Sequence, residues 1–171
     1  MDLSRNSDRA TSVDLHSLLE ELRIVVEPTL EESSIRLHLS AAENIPEVLA
    51  DRPSLMQVFL NLMKNSERAM RRQAHKELQI TVETSGQQVL VRFLDSGSGV
   101  QNPADLFKPF QQRAESTGLG LYLSRAFMRS FQGDLRFEPT AKGACFVVEL
   151  HALGKEDSSV YESADASLDR R

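Results

Sequence analysis

The spacing of hydrophobic residues predicts that helices and strands alternate along this chain. In residues 14–32 and 51–72, apolar side chains recur every three or four positions, the spacing that gives a helix one apolar face. Each segment opens on an aspartate, Asp14 or Asp51, whose side chain can cap the first turn. Pro28 interrupts the first pattern, so we expect a kink or an early end there. The predicted apolar face of the first helix comprises Leu15, Leu18, Leu19, Leu22, Val25, Val26 and Leu30.

Short apolar runs, some of them alternating with polar residues, predict strands between these helices. The runs on the two sides of Gly86 predict a hairpin, and a second hairpin is predicted around Gly143. The predicted strands are residues 35–39, 46–50, 78–84, 87–95, 134–138 and 144–150.

A third helix is predicted for residues 118–131, with Gly133 closing it as the residue after the C-cap. The loop before it, residues 101–117, is long for a compact domain, and loops of this length are usually functional lids or disordered. The resulting order of elements predicts a two-layer α/β sandwich. Its sheet should be mixed and mostly antiparallel, with the helices on one face.

Composition divides the chain into one domain with polar ends. Residues 1–12 are polar and mixed in charge, and we interpret them as a linker. Residues 13–150 carry the predicted elements and form the domain. Residues 151–171 are rich in charged and small side chains, which predicts a disordered tail.

The overall charge and the residue counts exclude several classes of function. The chain has 171 residues and a net charge of -5, which argues against a general nucleic-acid binder. Its single cysteine rules out an internal disulfide, and the four scattered histidines give no metal-ligand spacing. No apolar run approaches the length of a membrane span, and the first residues lack the hydrophobic region of a signal peptide. We therefore expect a soluble, cytoplasmic domain that makes no membrane contact.

Two glycine clusters flank the long loop and suggest a nucleotide pocket. Asp95 ends a predicted strand, where its carboxylate would accept a hydrogen bond from an amino group on a base. Gly97 and Gly99 lack a Cβ, so the backbone could come close to the ring. The predicted helix start near Gly118 would offer free N–H groups and a positive dipole end to phosphates. Each cluster alone is also compatible with an ordinary turn or loop-to-helix junction.

A row of polar residues on the second helix adds a third element. Asn61, Asn65 and Arg68 are spaced by four and three positions, so they share one face of the helix. A solvated helix side would explain them. The functional interpretation is that Asn65 offers a carbonyl oxygen to Mg²⁺ and Arg68 meets a phosphate, since Mg²⁺ takes few protein ligands beside phosphate oxygens.

Four motifs, taken in order, resemble the N, G1, F and G2 boxes of a known family. They are Asn61-x-x-x-Asn65-Ser66, Asp95-x-Gly97-x-Gly99, Leu106-Phe107-Lys108-Pro109-Phe110 and Gly118-Leu119-Gly120-Leu121. The family is the ATP-binding catalytic domain of sensor histidine kinases, within the gyrase, Hsp90, histidine-kinase and MutL superfamily that shares the Bergerat fold. The resemblance covers roughly residues 13–150, and the short lid looks most like that of nitrogen-regulator and oxygen-sensor kinases.

The resemblance implies that the chain binds ATP together with Mg²⁺. Asp95 would bind the adenine amino group, and Asn65 would ligate Mg²⁺. Phe107 and Phe110 would anchor the lid, a role compatible with plain core packing, and Arg113 would be the lid cation on the γ-phosphate. The implied ATP-binding residues are Asn61, Asn65, Arg68, Asp95, Gly97, Gly99, Arg113, Thr117, Gly118, Leu119 and Gly120.

Three positions depart from the family pattern. Ser66 stands where the family usually has alanine, and Ser116 replaces a glycine that often opens the second glycine box, which could stiffen the lid. Ala144 stands where many relatives have a threonine that supports the adenine contact through water. Loss of that support would weaken affinity by about 1 kcal/mol, the order of one hydrogen bond.

The resemblance implies transfer of the ATP γ-phosphoryl group to a histidine, with only slow hydrolysis. Related ATP hydrolases have a glutamate one turn before the Mg²⁺-binding asparagine, whereas this chain has Asn61, which cannot act as a general base. None of the four histidines resembles the phosphoacceptor, which such kinases carry on a dimerisation helix pair. We therefore expect a catalytic domain excised from a longer kinase, monomeric when isolated. Its partners would be that dimerisation domain and, downstream, a response regulator.

Two other functions stay open at this point. An anti-sigma serine kinase shares the pocket and lacks the dimerisation helices, although the F box and the short lid argue against it. A non-catalytic nucleotide-binding interaction module would keep the fold, and the changes at Ser116 and Ala144 leave it open. Acid lability of the product separates phosphohistidine from phosphoserine, and absent or Mg²⁺-independent nucleotide binding would indicate the module.

Overall fold

The computed structural model describes residues 9–110, 119–154 and 157. Helices, strands and hairpins follow one another in the predicted order, so the two-layer α/β fold is confirmed. The elements are β1 (Thr11–Val13), α1 (Leu15–Glu32), β2 (Arg36–Ala41), β3 (Val48–Ala50), α2 (Arg52–Met70), β4 (Glu77–Ser85), β5 (Gln88–Asp95), a 3₁₀ turn (Pro103–Asp105), α3 (Gly120–Ser130), β6 (Asp134–Glu138) and β7 (Ala144–Ala152).

The seven strands found in the described residues form one sheet in the order β1-β3-β7-β5-β4-β2, with β6 also paired to β7. Neighbours are antiparallel except β2 and β4, which run parallel because α2 lies in the crossover between them. β3 and β6 pair with opposite ends of β7, while β5 pairs with its whole length. This topology makes β5 and β7 the centre of the sheet and places Asp95 directly opposite Ala144.

The core lies between the three helices and one face of the sheet. Val91 and Phe93 of β5 point into the core and are fully buried. Phe146 of β7 is almost fully buried there. The Phe59 ring of α2 packs on Phe93 with the ring centroids 5.3 Å apart. The helices thus cover a single face of the sheet, as the sequence predicts.

The opposite face of the sheet carries alternating charges above a small apolar cluster. Arg92 contacts Glu83 and Glu138, and Arg136 contacts Glu138 and Glu149. Two of these pairs join neighbouring strands, Arg92 with Glu83 and Arg136 with Glu149, and each arginine contacts two carboxylates. The cluster beneath them comprises Leu90, Cys145 and Val147.

The first helix differs from its prediction in two details. The cap is as expected, since the backbone N–H of His16 donates to Asp14 Oδ1 at 2.8 Å. The early end predicted at Pro28 does not occur, because Pro28 is exposed and the carbonyl of Ile24 that loses its helical partner can be hydrated. The prediction that Val25 is part of the buried face is wrong: its side chain is 54% exposed.

Gly133 does not close α3 in the predicted way. The residue with the left-handed conformation is Gln132, whose φ is 65°. Gly133 is needed for space instead, because a Cβ there would lie 2.5 Å from the carbonyl oxygen of Glu149 in β7. Glycine is therefore required at position 133 by the approach of Glu149, a residue that is distant in sequence.

The sheet extends slightly past the predicted domain limits. Thr11 and Ser12 pair with β3, and Ala152 pairs with Val48. Residues 1–8, 155–156 and 158–171 lie outside the described part of the chain, so the linker and the tail stay predictions. No helix among the described residues has the length and hydrophobicity that crossing a membrane requires.

Candidate functional site

Asp95 lies at the end of the central strand β5 and is only 3% exposed. Its Oδ1 accepts hydrogen bonds from the backbone N–H of Gly97 at 2.9 Å and of Ala144 at 3.2 Å. The hydroxyl of Ser66 on α2 also hydrogen-bonds to the carboxylate. Because a carboxylate has about four lone-pair sites, Asp95 keeps acceptor capacity for a ligand amino group.

Burial and hydrogen bonding have opposite effects on the pKa of the Asp95 carboxyl. Burial is the largest effect and raises the pKa of the Asp95 carboxyl, and the hydrogen bonds from Gly97, Ala144 and Ser66 only partly offset it. All three of these partners are neutral. Within the described part of the chain the carboxylate is therefore held by dipoles and forms no salt bridge, which leaves its charge available to a bound ligand.

Glycines on both sides of Asp95 let backbone segments approach closely. A Cβ on Gly97 would lie 2.8 Å from the backbone carbonyl oxygen of Ala69, so the loop after β5 rests directly on α2. The Ser98 N–H donates to the same carbonyl at 3.3 Å. A Cβ on Gly143 would lie 1.7 Å from the carbonyl oxygen of Asp95. Gly97 thus packs the loop against α2, a role the sequence interpretation did not include.

One polar residue of α2, Asn61, contacts the start of α3. The Nδ2 of Asn61 donates to Ser124 Oγ at 3.1 Å, and a Cβ on Gly120 would lie 2.5 Å from Asn61 Oδ1. Asn65, one turn further along α2, is half-buried, and Arg68 is exposed. The structure therefore brings Asn61 and Gly120 into contact, while Arg68 extends towards solvent.

The start of α3 is suited to an anion. The N-cap residue Leu119 has no side-chain hydrogen bond to the first turn, and no other described side chain caps it. The first-turn N–H groups can then donate to a phosphate at the positive end of the helix. The predicted residues Arg113, Thr117 and Gly118, and also Ser116, lie outside the described residues.

The two phenylalanines of the F box differ in their surroundings. Phe107 packs against the core, and the guanidinium of Arg125 lies 4.7 Å from its ring centroid. Arg125 also pairs with Asp134 at 3.0 Å, which connects the lid base to β6. Phe110 is 75% exposed with a φ of 60°, so core packing, one of the two interpretations of this residue, is wrong for it.

Sequence reasoning missed the roles of Gly143, Ser66 and Ser124. The turn Lys142-Gly143 signalled a hairpin, but its contact with Asp95 depends on the pairing of β5 with β7. Ser66 and Ser124 are 1% and 3% exposed. A serine on the apolar side of a predicted helix could have indicated these roles, because a buried hydroxyl needs a hydrogen-bond partner.

If Asp95 binds the adenine amino group, Ser66→Ala is expected to weaken ATP binding about three- to tenfold, because it removes one hydrogen bond to the Asp95 carboxylate. It also raises the pKa of Asp95 further, since burial is then less opposed. Affinity should therefore start to fall at a higher pH during acidification than in the wild type. Calorimetric titration with a non-hydrolysable ATP analogue over a range of pH measures both effects.

Ser130→Ala is the matched control for this substitution. Ser130 is partly buried, and its hydroxyl donates to the backbone carbonyl of Phe127 within its own helix at 2.7 Å, away from Asp95. This variant should bind ATP as the wild type does. Equal affinities and equal pH profiles for Ser66→Ala and the wild type would contradict a role for Ser66.

The residues of the site fit a magnesium ion bound together with phosphates. The amide oxygen of Asn65 is a hard, neutral ligand, and Mg²⁺ commonly takes one or two protein ligands, phosphate oxygens and waters. The described residues hold no group of three or more histidine, cysteine, aspartate or glutamate side chains that could bind a metal without a phosphate. The donor set therefore suits a metal that arrives with a nucleotide.

The chain is similar in sequence to bacterial sensor proteins, among them sensor histidine kinases. DctS, a C4-dicarboxylate transport sensor protein from Rhodobacter capsulatus, is 29% identical over 154 residues, which covers 86% of this chain and 23% of DctS. The sensor histidine kinase ZraS from Escherichia coli K12 is 32% identical over 145 residues, covering 81% of this chain and 30% of ZraS. The chain therefore spans less than a third of these curated relatives.

Solved structures show the same fold. The catalytic domain of the histidine kinase ThkA aligns with a TM-score of 0.75 and 25% identity, covering 84% of this chain and 95% of that domain. The Acinetobacter baumannii histidine kinase AdeS aligns with a TM-score of 0.70 and 23% identity over 85% of this chain and 68% of that one. The second alignment supports the fold alone.

A family model matches residues 50–153, which include α2, the strands around Asp95, the F box and α3. This match covers more than half of the chain and contains every element that builds the site. The chain therefore belongs to the family of histidine kinase-, DNA gyrase B- and HSP90-like ATPases.

Proposed function

We propose that the chain is the cytoplasmic, ATP-binding catalytic domain of a two-component sensor histidine kinase. The observation that carries this proposal is the buried Asp95 carboxylate, held by neutral donors at the end of β5. It lies on the same side of the sheet as the start of α3, where the N-cap residue Leu119 makes no side-chain hydrogen bond to the first turn. One end of the site thus suits an adenine amino group and the other suits phosphates.

Three residues of α2 would have different roles at the phosphate end of the site. Asn65 would hold the magnesium ion, which neutralises charge on the phosphates when it is bound, and Arg68 would lie near the phosphates from the solvent side. Asn61 occupies the position of the glutamate that activates water in related hydrolases, and its amide cannot take a proton. Positioning and charge neutralisation are the main requirements of phosphoryl transfer, so the site favours transfer to an acceptor over hydrolysis.

Mg²⁺ should increase ATP affinity, and Asn65→Ala is expected to reduce this increase by about tenfold or more. Loss of a residue that only supports a metal ligand typically lowers metal affinity by that factor, so loss of a direct ligand should lower it at least as much. Binding of metal-free nucleotide should change little. Calorimetry with a non-hydrolysable ATP analogue, with Mg²⁺ and with a chelator, measures the difference. Gln57→Ala, which removes an exposed amide two turns earlier on α2, is the control. An unchanged Mg²⁺ dependence in Asn65→Ala would exclude Asn65 as the ligand.

Apolar side chains beside the site support a protein partner. Phe110, Tyr122 and Leu123 are 75%, 43% and 36% exposed, and in sequence Phe110 precedes residues 111–118 whereas Tyr122 and Leu123 follow them. Exposed apolar side chains that lie together in a patch mark interaction sites. We assign this surface to the dimerisation domain that carries the phosphoacceptor histidine. A solved complex of ThkA with the response regulator TrrA supports, by likeness, a response regulator as the downstream partner.

The test of function has two stages. The chain is first titrated with a non-hydrolysable ATP analogue with and without Mg²⁺, and binding that strengthens with Mg²⁺ is expected. It is then mixed with radiolabelled ATP and the separately expressed dimerisation domain of its parent kinase. Label on that domain that is lost in acid supports histidine transfer, whereas acid-stable label would indicate a serine kinase. Absence of Mg²⁺-dependent binding would instead favour the non-catalytic module.

A further inference from the structure

We propose that Ser124 is a positioning residue of the nucleotide site, which fixes the side-chain amide of Asn61 so that its oxygen faces the start of α3. There the oxygen selects nucleotide that carries Mg²⁺ over metal-free nucleotide. This inference rests on the proposed function, since it assumes that phosphates bind at that helix start.

Ser124 stands out because its side chain is buried beside the site and contacts no residue of the base-recognition end. Among the described residues, the buried polar or charged side chains are Ser66, Asp95 and Ser124. Ser66 and Asp95 form the base-recognition end. The Ser124 hydroxyl, on a helix whose neighbouring turn faces the phosphate end, also needs a partner because burial of an unpaired hydroxyl is costly.

The partner of Ser124 is Asn61, and the hydrogen bond between them fixes the nitrogen of the amide. Asn61 Nδ2 donates to Ser124 Oγ at 3.1 Å. Measured from the position that a Cβ of Gly120 would occupy, Asn61 Oδ1 is 2.5 Å and Nδ2 is 3.1 Å away, so the oxygen is the amide atom nearer to the first turn of α3. Ser124 follows Gly120 by one helical turn, so the two residues lie on the same side of α3. The amide therefore points its nitrogen along the helix and its oxygen at the first turn.

The orientation matters because an amide oxygen is an acceptor only. An acceptor that faces bare phosphate oxygens repels them, whereas it favours a cation or a water bound to a cation. The reverse orientation would present N–H donors and would bind phosphate with or without a metal. The bond to Ser124 thus makes the first turn of α3 favour nucleotide that brings Mg²⁺.

The test compares binding of a non-hydrolysable ATP analogue with Mg²⁺ and with a chelator, by calorimetry, in the wild type and Ser124→Ala. We expect the ratio of the two affinities to fall about three- to tenfold in Ser124→Ala, the effect of one hydrogen bond. Affinity for the metal-free analogue should be unchanged or higher. Ser130→Ala, in the same helix with its hydroxyl bonded to Phe127, should keep the wild-type ratio.

A double-mutant cycle with Asn61→Ala keeps the proposal open to refutation even if one variant is less stable. If Ser124 acts through Asn61, Ser124→Ala should have no further effect on the affinity ratio in the Asn61→Ala background. An unchanged ratio in Ser124→Ala, or equal losses with and without Mg²⁺, would overturn the proposal and leave only a helix-to-helix contact. Absence of Mg²⁺-dependent binding by the wild type would refute the proposed function itself, which is a separate outcome.

Discussion

Asp95→Asn is expected to reduce ATP affinity by about 100-fold or more and, at neutral pH, to raise the melting temperature. The affinity falls because a hydrogen bond to a charged acceptor contributes about 1.5–3 kcal/mol. In addition, an asparagine whose Oδ1 still accepts from Gly97 and Ala144 presents its NH₂ group to the adenine amino group. Two donors then face each other, and neither has a partner.

The stability gain follows from the direction of the pKa shift. Burial raises the pKa of Asp95 above its usual range, so the ionised form costs folding free energy. That cost is absent below the ordinary pKa of an aspartate and grows as the pH rises through the raised value. A neutral amide avoids it, so Asp95→Asn should be more stable than the wild type at neutral pH and similar in acid.

Asp14→Asn provides the matched control for this substitution. It makes the same chemical change at the N-cap of α1, where asparagine caps as well as aspartate does. Calorimetry and thermal unfolding should both give wild-type values for it. Wild-type ATP affinity in Asp95→Asn would refute base recognition by Asp95, and a lower melting temperature at neutral pH would refute the argument from burial.

Gly143→Ala is expected to destabilise the fold by about 3 kcal/mol or more, enough to unfold much of a marginal domain. Its φ is 74°, and the new Cβ would lie 1.7 Å from the carbonyl oxygen of Asp95. That oxygen belongs to the central strand and cannot move without breaking the pairing of β5 with β7. The measurement is chemical denaturation, combined with the titration of ATP in any folded fraction.

Gly86→Ala separates the two causes of that loss. Gly86 has a φ of 60°, but a Cβ there would meet nothing within 4 Å. This variant should lose only about 1–2 kcal/mol, the cost of a left-handed conformation for alanine. If the two alanine variants were equally stable, the close approach to Asp95 would not be what requires glycine at position 143.

The elements that the sequence predicted well are those whose signals are local. Apolar periodicity and the caps at Asp14 and Asp51 located α1 and α2, because helix ends depend on residues within one turn. The burial of Val25 and the closing role of Gly133 were wrong because they depend on neighbours distant in sequence. At Gly133 that neighbour is Glu149 of β7, which no window around residue 133 contains.

The candidate site shows the same division. Asp95, Asn61 and Gly120 were found from motif spacing, and the structure brings Asn61 and Gly120 together. The support of Asp95 by Ser66 and Ala144, and of Asn61 by Ser124, required knowledge of strand register and helix packing. Family motifs name the groups that meet a ligand, whereas the groups that hold them depend on the tertiary structure.

The central place of β7 has a consequence for biosynthesis. β7 is the last strand of the described residues, yet it pairs with β3, β5 and β6 and supplies the Ala144 N–H that holds Asp95. A nascent chain that has emerged only as far as the second glycine cluster lacks this partner for its central strand. The pocket can therefore form only after residue 152 has left the ribosomal exit tunnel, so ATP cannot assist folding before synthesis of the domain is complete.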